Sequence, residues 1–308
     1  MPSSKQVVKA AIMQSAASAA GFHFLNLYQC CQRKFYFKWV LGLQEKNLAD
    51  ALVKGAAFHE GKAEWYRSGS EPKAVRQVRD YVKANATQLG NVMDGRKFAE
   101  QVSGLLVGWI RAHGRHDVDN SKVLAVESDF SLNCGGGFTY TGRVDAILDF
   151  GDGPIIMETK SSGYSSELTT AGVVNGDQAT SYLALCRKSF PDIRGVYADV
   201  SFFGSYKAGP SHTRSELITR SENNITEFVA GVSQAFSEIS QKTEAMLAGV
   251  KPKMLFSRNT YYCQSYNKRC EYANICLKSC TLKEAAHGFN RVKPEDRLGD
   301  YLMDSITI

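Results

Sequence analysis

Two short apolar runs joined by a tight turn constrain this chain most. Gly142-Arg143-Val144-Asp145-Ala146-Ile147 leads through Gly151-Asp152-Gly153-Pro154 to Ile155-Ile156-Met157-Glu158-Thr159-Lys160. Apolar runs bounded by Gly, Asp and Pro read as strands, and so short a connection makes them an antiparallel hairpin. Side chains alternate faces along a strand, so Ile156, Glu158 and Lys160 share one face. A Gly151-Asp152 loop pairs Phe150 with Gly153 and sets Asp145 directly opposite Glu158. An Asp152-Gly153 loop sets Asp145 opposite Lys160 instead. Directly opposed residues face the same side, so either register gathers both carboxylates and the lysine on one patch. Hard oxygen ligands for a divalent cation, with an ammonium close by, suit phosphodiester hydrolysis. The same trio is also a common surface ion pair, so the rest of the chain has to decide.

The 308 residues suffice for one large domain or two ordinary ones, and a hydrophobic content of 44%, with 16 Phe and 14 Tyr, can build a proper core. No solenoid-period repeat or low-complexity tract is visible. The net charge of +6 is compatible with a polyanionic partner without demanding one. No apolar run reaches the length of a membrane helix, which excludes a helical membrane protein on sequence grounds. The stretch from Val7 to Ala20 faintly mimics a signal peptide. Lys9, Gln14, Ser15 and Ser18 interrupt it, so the expectation is a cytoplasmic protein with no membrane partner.

Periodicity divides the chain. Helical spacing runs through 24–43, 52–67, 72–89 and 95–112. The period then changes to that of strands at 122–133, 138–150, 154–160 and 195–206, with 211–219 as a further candidate. Residues 173–189 read as a helix between the third and fourth strands. Residues 222–248 read as an amphipathic helix with Ile225, Phe228, Val232, Phe236 and Ile239 on one stripe. The expected fold is α/β with one sheet. The expected division is an N-terminal segment 1–50, a core 51–250 with a helical insertion at about 70–115, and a Cys-rich segment 251–308.

Several motifs fail familiar tests. His59-Glu60 on the 52–67 helix lacks the second histidine of a zinc-protease helix, because position 63 is Ala63. Gly61-Lys62 lacks the upstream glycine of a phosphate loop. Gly135-Gly136-Gly137 is better read as a turn. Gln178 and Tyr182 lie four apart on one helix face, where both can hydrogen-bond a phosphate or a base.

The cysteines are more specific. A long chain does not need a secreted disulfide framework. Cys134 and Cys186 stand alone, and Cys186 suits a small buried hydrophobe. Cys263, Cys270 and Cys276 fall within a short span, with Cys280 close behind. Such crowding points to a metal or cluster. A local four-cysteine zinc site would use Cys280. A cubane iron–sulfur cluster would take its fourth thiolate from Cys30 or Cys31 and staple a very long loop.

Taken in order, these motifs resemble the RecB-like branch of the PD-(D/E)XK nuclease superfamily, which includes CRISPR-associated RecB-like and phage exonucleases carrying an iron–sulfur cluster. The resemblance covers roughly residues 22–280. Cys31-Gln32-Arg33-Lys34-Phe35-Tyr36 is similar to the N-terminal cysteine motif, and Gly55 to His59 to the Gly-x-x-hydrophobic-His motif. Asp145 in Gly-Arg-Val-Asp and Glu158-Thr159-Lys160 match the two catalytic motifs, Gln178 to Tyr182 the Gln-x-x-x-Tyr motif, and Cys270 to Cys276 the closing cysteine pair. The six residues between Cys263 and Cys270 depart from the two seen in many relatives and are more similar to some phage members.

The resemblance implies a mixed central sheet flanked by helices, with a Cys-rich cap joining the chain ends. It implies Mg²⁺ or Mn²⁺ held by His59, Asp145, Glu158 and the Thr159 carbonyl, with Lys160 orienting or activating the attacking water. It implies a [4Fe-4S] cluster on Cys31, Cys263, Cys270 and Cys276, with Cys31 preferred over Cys30 because Gln-Arg-Lys-Phe-Tyr follows it and Cys280 left over. Gln178 and Tyr182 would position DNA, and the aromatic and basic residues 33–39 would line a strand path. The implied partners are DNA and recombination or CRISPR-adaptation proteins. A non-catalytic DNA-binding subunit that keeps the fold and cluster is the rival reading. Intact His59, Asp145, Glu158 and Lys160 argue against it.

Overall fold

The computed structural model describes residues 21–45, 50–85, 95–135, 138–163, 166–204, 209–265, 268–277, 284 and 288–291. Cys280 and the stretch from Val7 to Ala20 lie outside these residues. The chain forms two compact units. One comprises residues 1–46, 131–142 and 229–308, the other 47–130 and 143–228.

In the first unit, α1 (Phe22–Cys30) and α2 (Gln32–Phe35) stand where a single helix was expected. The break is Cys31, whose backbone is extended at φ −159° and ψ 104°. A π-helical turn (Tyr36–Val40) and β1 (Leu43–Glu45) follow. Aromatic rings fill this unit's core. Phe24 meets Phe35 edge-on at 4.8 Å, and Tyr36 stacks with Phe256 at 5.2 Å. Such ring pairs add directional preference to the large area they bury.

The second unit begins with α3 (Asp50–Ser68), α4 (Glu71–Ala84), α5 (Gly95–Trp109), a π turn (Ile110–Gly114) and α6 (Arg115–Asn120). Gly61 explains how α3 packs among the others. A Cβ there would lie 2.6 Å from both Leu106 Cδ2 and Val78 Cγ2, so only glycine lets α4 and α5 approach this closely. Their apolar faces form one core of Phe58, Trp65, Val78, Phe98, Leu106 and Trp109 beneath Leu148 and Met157.

The sheet has five strands in the order β2-β3-β4-β5-β6, being Lys122–Asn133, Thr139–Asp149, Pro154–Ser162, Gly195–Phe202 and Ser211–Arg214. β3 and β4 are antiparallel, β4 and β5 parallel, and β5 and β6 antiparallel, so the sheet is mixed as expected. The parallel step needs a crossover. Two helices supply it, α7 (Ser166–Asn175) and α8 (Asp177–Cys186), where one was expected over 173–189. Gly176 divides them in an extended conformation at φ −89° and ψ 165°. The candidate strand at 211–219 ends at Arg214, and Ile218 returns only as an isolated bridge to Val196.

α9 (Glu222–Leu247) runs close to its expected span. The first unit then closes with α10 (Pro252–Leu255), the small hairpin of β7 (Gln264–Ser265) and β8 (Lys268–Arg269), α11 (Ala273–Cys276) and β9 (Phe289–Arg291). β9 pairs with β1, Glu45 lying opposite Phe289.

Candidate active site

The register resolves the alternative left open by the sequence. Ala146 lies opposite Met157, Ile147 opposite Ile156 and Leu148 opposite Ile155. One step further, Asp145 falls opposite Glu158, as a Gly151-Asp152 loop requires. Gly151 and Gly153 carry the turn at φ +103° and +111°, a region open to glycine, and Asp149 Oδ1 accepts from both of their amides at 2.8 and 3.2 Å.

α3 delivers the histidine. Its Gly55 faces β4 so closely that a Cβ would come within 3.3 Å of Ser161 Oγ. One turn on, His59 Nδ1 lies 3.2 Å from Asp145 Oδ1. Asp145 Oδ2 accepts from the Thr159 amide at 2.7 Å, while Lys160 Nζ donates to Glu158 Oε1. The structure therefore brings His59, Asp145, Glu158, Thr159 and Lys160 together.

Burial sets the electrostatics. Burial alone would raise the Asp145 carboxyl, but His59 and Lys160 outweigh it and hold it below its usual range. Glu158 is raised, by burial and by the Asp145 charge, against the opposing pull of Lys160. His59 and Lys160 are both raised, since their carboxylate neighbours outweigh burial. Glu158 Oε2 is buried and has no hydrogen-bond partner among the described residues. An orphaned carboxylate oxygen is costly unless something electropositive completes it.

Sequence reasoning missed Glu127. Its carboxylate, Asp145 and His59 each offer a ligand atom, and these atoms lie within 4.8 Å of one another. Burial and the Asp145 charge push Glu127 up to about 7. It sits mid-strand at φ +46°, the only described non-glycine residue with positive φ. Backbone in that region is strained for a side-chain-bearing residue and gathers at functional sites. Nothing in the 122–133 pattern announces that conformation, which is why Glu127 reads there as one more exposed strand position.

Gln178 and Tyr182 sit behind the carboxylates. Gln178 Nε2 donates to the Tyr182 hydroxyl at 3.0 Å, and both side chains are buried. Burial, then the Glu158 and Asp145 charges, raise the Tyr182 phenol well above its usual range.

Also unforeseen is a buried ionic network on the same helix as His59. Lys62 donates to Asp199 Oδ2 at 2.8 Å, and Trp109 Nε1 donates to the same oxygen at 2.8 Å. Arg214 meets Asp117 through two bonds of 2.8 Å, and Tyr66 donates to Asp117 at 3.0 Å. Asp199 lies opposite Thr159 across the parallel β4–β5 pair. The network thus ties α3, one turn past His59, to the strand beside the one carrying Glu158 and Lys160.

In the other unit, Cys31, Cys263, Cys270 and Cys276 line one small cavity edged by Arg33 and Arg258. Cys30 is not among its lining residues, and its thiol donates to Asn26 Oδ1 at 3.6 Å. The motif around Cys31 works through hydrogen bonds. Arg33 donates to the Phe256 and Lys253 carbonyls, both at 2.9 Å, and Ser257 Oγ donates to Gln32 at 3.2 Å. Those contacts hold Cys31 against the segment leading to Cys263. Four cysteines around one cavity, beside cationic side chains, suit a thiolate-bound cluster, whose charge is negative. All described cysteines are free of disulfides.

A mixed five-stranded sheet that sets an Asp opposite a Glu-x-Lys strand defines a class of metal-assisted nucleases, and the comparisons agree. The sequence pattern of the PD-(D/E)XK nuclease superfamily matches residues 23–277, and the chain belongs to that superfamily. The crystal structure of a candidate exonuclease from Eubacterium rectale aligns over 99% of this chain and 97% of its own, with a TM-score of 0.52 and 11% identity, a likeness of fold. The structure of SSO0001 aligns over 75% of this chain and 95% of its own, at 12% identity and a TM-score of 0.28. No curated protein matches the chain. Among the described residues, no helix is long and apolar enough to cross a membrane.

Proposed function

We propose that this chain is a metal-dependent DNA exonuclease that hydrolyses phosphodiester bonds at single strands or DNA ends, in recombination, repair or a related processing pathway. The observation that carries the reading is the buried hairpin patch: Asp145 opposite Glu158, Lys160 beside it, and His59 delivered by α3. His59, Asp145, Glu158 and the Thr159 carbonyl would hold Mg²⁺ or Mn²⁺, with Glu127 as a further oxygen donor. The ion would supply Lewis-acid stabilisation of charge developing on the phosphate.

The protein's own groups do the remainder. The Thr159 amide and His59 fix the Asp145 carboxylate in one rotamer, leaving little reorganisation for the reaction. Lys160, kept protonated by Glu158, offers an ammonium donor to a water or to a non-bridging phosphate oxygen. Tyr182, kept neutral, supports the Glu158 side of the site from behind.

In the same reading, Cys31, Cys263, Cys270 and Cys276 hold a [4Fe-4S] cluster whose role is structural. Cys31 is the N-terminal ligand, because it lines the cavity and Cys30 does not. Bound zinc in a colourless protein would overturn the cluster assignment.

The test uses anaerobically purified protein with end-labelled single- and double-stranded DNA, in Mn²⁺, Mg²⁺ or chelator, beside Glu158→Ala. Expected are cleavage lost in chelator and in the variant, and product ladders that reveal strand preference and polarity. DNA bound but never cut would replace this reading with that of a non-catalytic subunit.

A further inference from the structure

The groove between α4 and α5 stands apart from the residues used so far. Its open volume is about 600 Å³. Glu71, Val75 and Arg79 form one wall, Ser103 and Gly104 the other, and Arg111 closes it from the π turn. Arg79 and Arg111 are exposed, and no ion pair engages either among the described residues. A Cβ on Gly104 would meet nothing within 4 Å, so that wall is open. The Ser103 hydroxyl in the wall is buried, at 7% residue exposure, without a hydrogen-bond partner.

The outer face of α4 extends the same chemistry. Lys73, Arg76, Arg79 and Lys83 are all exposed, and their spacing of three, three and four keeps them on one side of the helix. None of the four has an ion-pair partner among the described residues. At 1.5 Å per residue the stripe spans about 15 Å, comparable to about four phosphates of a nucleic-acid strand at 3.4 Å each. Acids lie nearby too: Glu60 accepts from Gln77 of α4 at 3.2 Å, and Glu100 is exposed on α5 one turn before Ser103 and Gly104. Glu71, at the end of the groove, is engaged by Arg115 at 3.6 Å, and Asp80 is exposed on α4. The cations therefore outnumber the acids, and the two arginines face the groove with forked donors suited to phosphate oxygens.

We propose that the α4–α5 groove, with Arg79 and Arg111 as its anchors, is a second contact surface for the phosphate backbone of a nucleic-acid strand. This rests on the nuclease reading above and adds to it a place that holds substrate without reading its bases. Phosphate contacts position a strand and carry no sequence information, which suits an enzyme that must move along its substrate.

The experiment measures binding of a labelled single strand by fluorescence anisotropy in chelator across a salt series. It also measures cleavage of a dinucleotide, which is too short to span both surfaces. For Arg79→Gln/Arg111→Gln we expect roughly tenfold weaker strand binding at low salt. We also expect the plot of log affinity against log salt to become shallower by about 1.4, two phosphate contacts at about 0.7 each. Dinucleotide cleavage should be unchanged, and Arg79→Lys/Arg111→Lys should restore the slope. Unchanged strand binding and slope in the glutamine variant would overturn the proposal, as would an equal loss of dinucleotide cleavage. Failure of the wild-type protein to cut any substrate, with the slope still changed by the glutamine variant, would instead sink the nuclease reading and leave the groove standing.

Discussion

Two clusters of buried charge share helix α3 and have opposite characters. The network of Lys62, Asp117, Asp199 and Arg214 balances two cations against two anions, and its carboxylates accept from Trp109, Tyr66 and both cations. The cluster of His59, Glu127, Asp145, Glu158 and Lys160 holds three acids against one permanent cation. Each cluster leaves one buried carboxylate oxygen unpaired among the described residues, Asp199 Oδ1 in the first and Glu158 Oε2 in the second. The same kinds of charged group, a turn apart on one helix, make a charge-balanced structural joint in one case and a patch with excess negative charge in the other. Charge balance, more than burial or residue identity, marks the place where a cation would be welcome.

Breaking the joint should have the largest effect on the fold. Lys62→Met leaves Asp199 buried with its main partner gone, and removing one member of a buried pair costs about 3–5 kcal/mol. Glu158→Gln removes charge from a site with too much of it and should change stability by less than about 1 kcal/mol while abolishing cleavage. Urea unfolding of both variants decides. Equal destabilisation would erase the contrast between the clusters.

Acid sharpens it next. Lys62 and Arg214 hold the Asp199 carboxyl far below its ordinary range, against the effect of burial. A depressed carboxyl contributes stability that is present at neutral pH and lost as pH falls below the ordinary value of 3.8. An Asp199→Asn protein, less stable at neutral pH, should therefore lose less on acidification than the wild type. Unfolding free energies that stay a constant distance apart down to acid pH would refute the ion-pair account.

The smallest effect has the opposite sign. Glu127 is raised from an ordinary 4.5 to about 7, so its contribution favours the fold below 4.5 and is lost as pH rises to about 7. Half-buried His212, lowered to about 4 chiefly by burial, pushes the other way over part of that window. The readable quantity is thus the difference between wild type and Glu127→Gln without metal. The variant should gain relative stability between pH 4.5 and 7, and adding Mn²⁺ should narrow the gap. A flat difference across that window would mean Glu127 is solvated like any surface acid.

Much of this was legible in the chain. Alternating runs with Gly-Asp-Gly punctuation are a local code, and they placed the β3–β4 hairpin and the Asp145–Glu158 opposition within one register choice. The choice itself needed the structure, because both turns are chemically acceptable. The helix expected over 24–43 broke at Cys31, since nothing in an aromatic, basic run signals one extended residue. Glu127 was invisible because a positive φ in a strand leaves no trace in composition. Lys62 and Asp199 were invisible for a different reason. A lysine in a polar stretch of helix reads as solvated, and only the packing of Gly61 against α4 and α5 turns it inward.

The pairing of β1 with β9, backed by the Tyr272 hydroxyl donating to the Leu43 carbonyl at 2.6 Å, has a consequence for biosynthesis. β1 leaves the ribosome long before its partner β9. Until residues far along the chain emerge, the aromatic surfaces of α1 and α2 lack partners such as Phe236 for Phe24 and Phe256 for Phe35. The nascent chain therefore carries uncovered aromatic faces until those partners emerge, and its yield in a cell should depend on how well chaperones shield them.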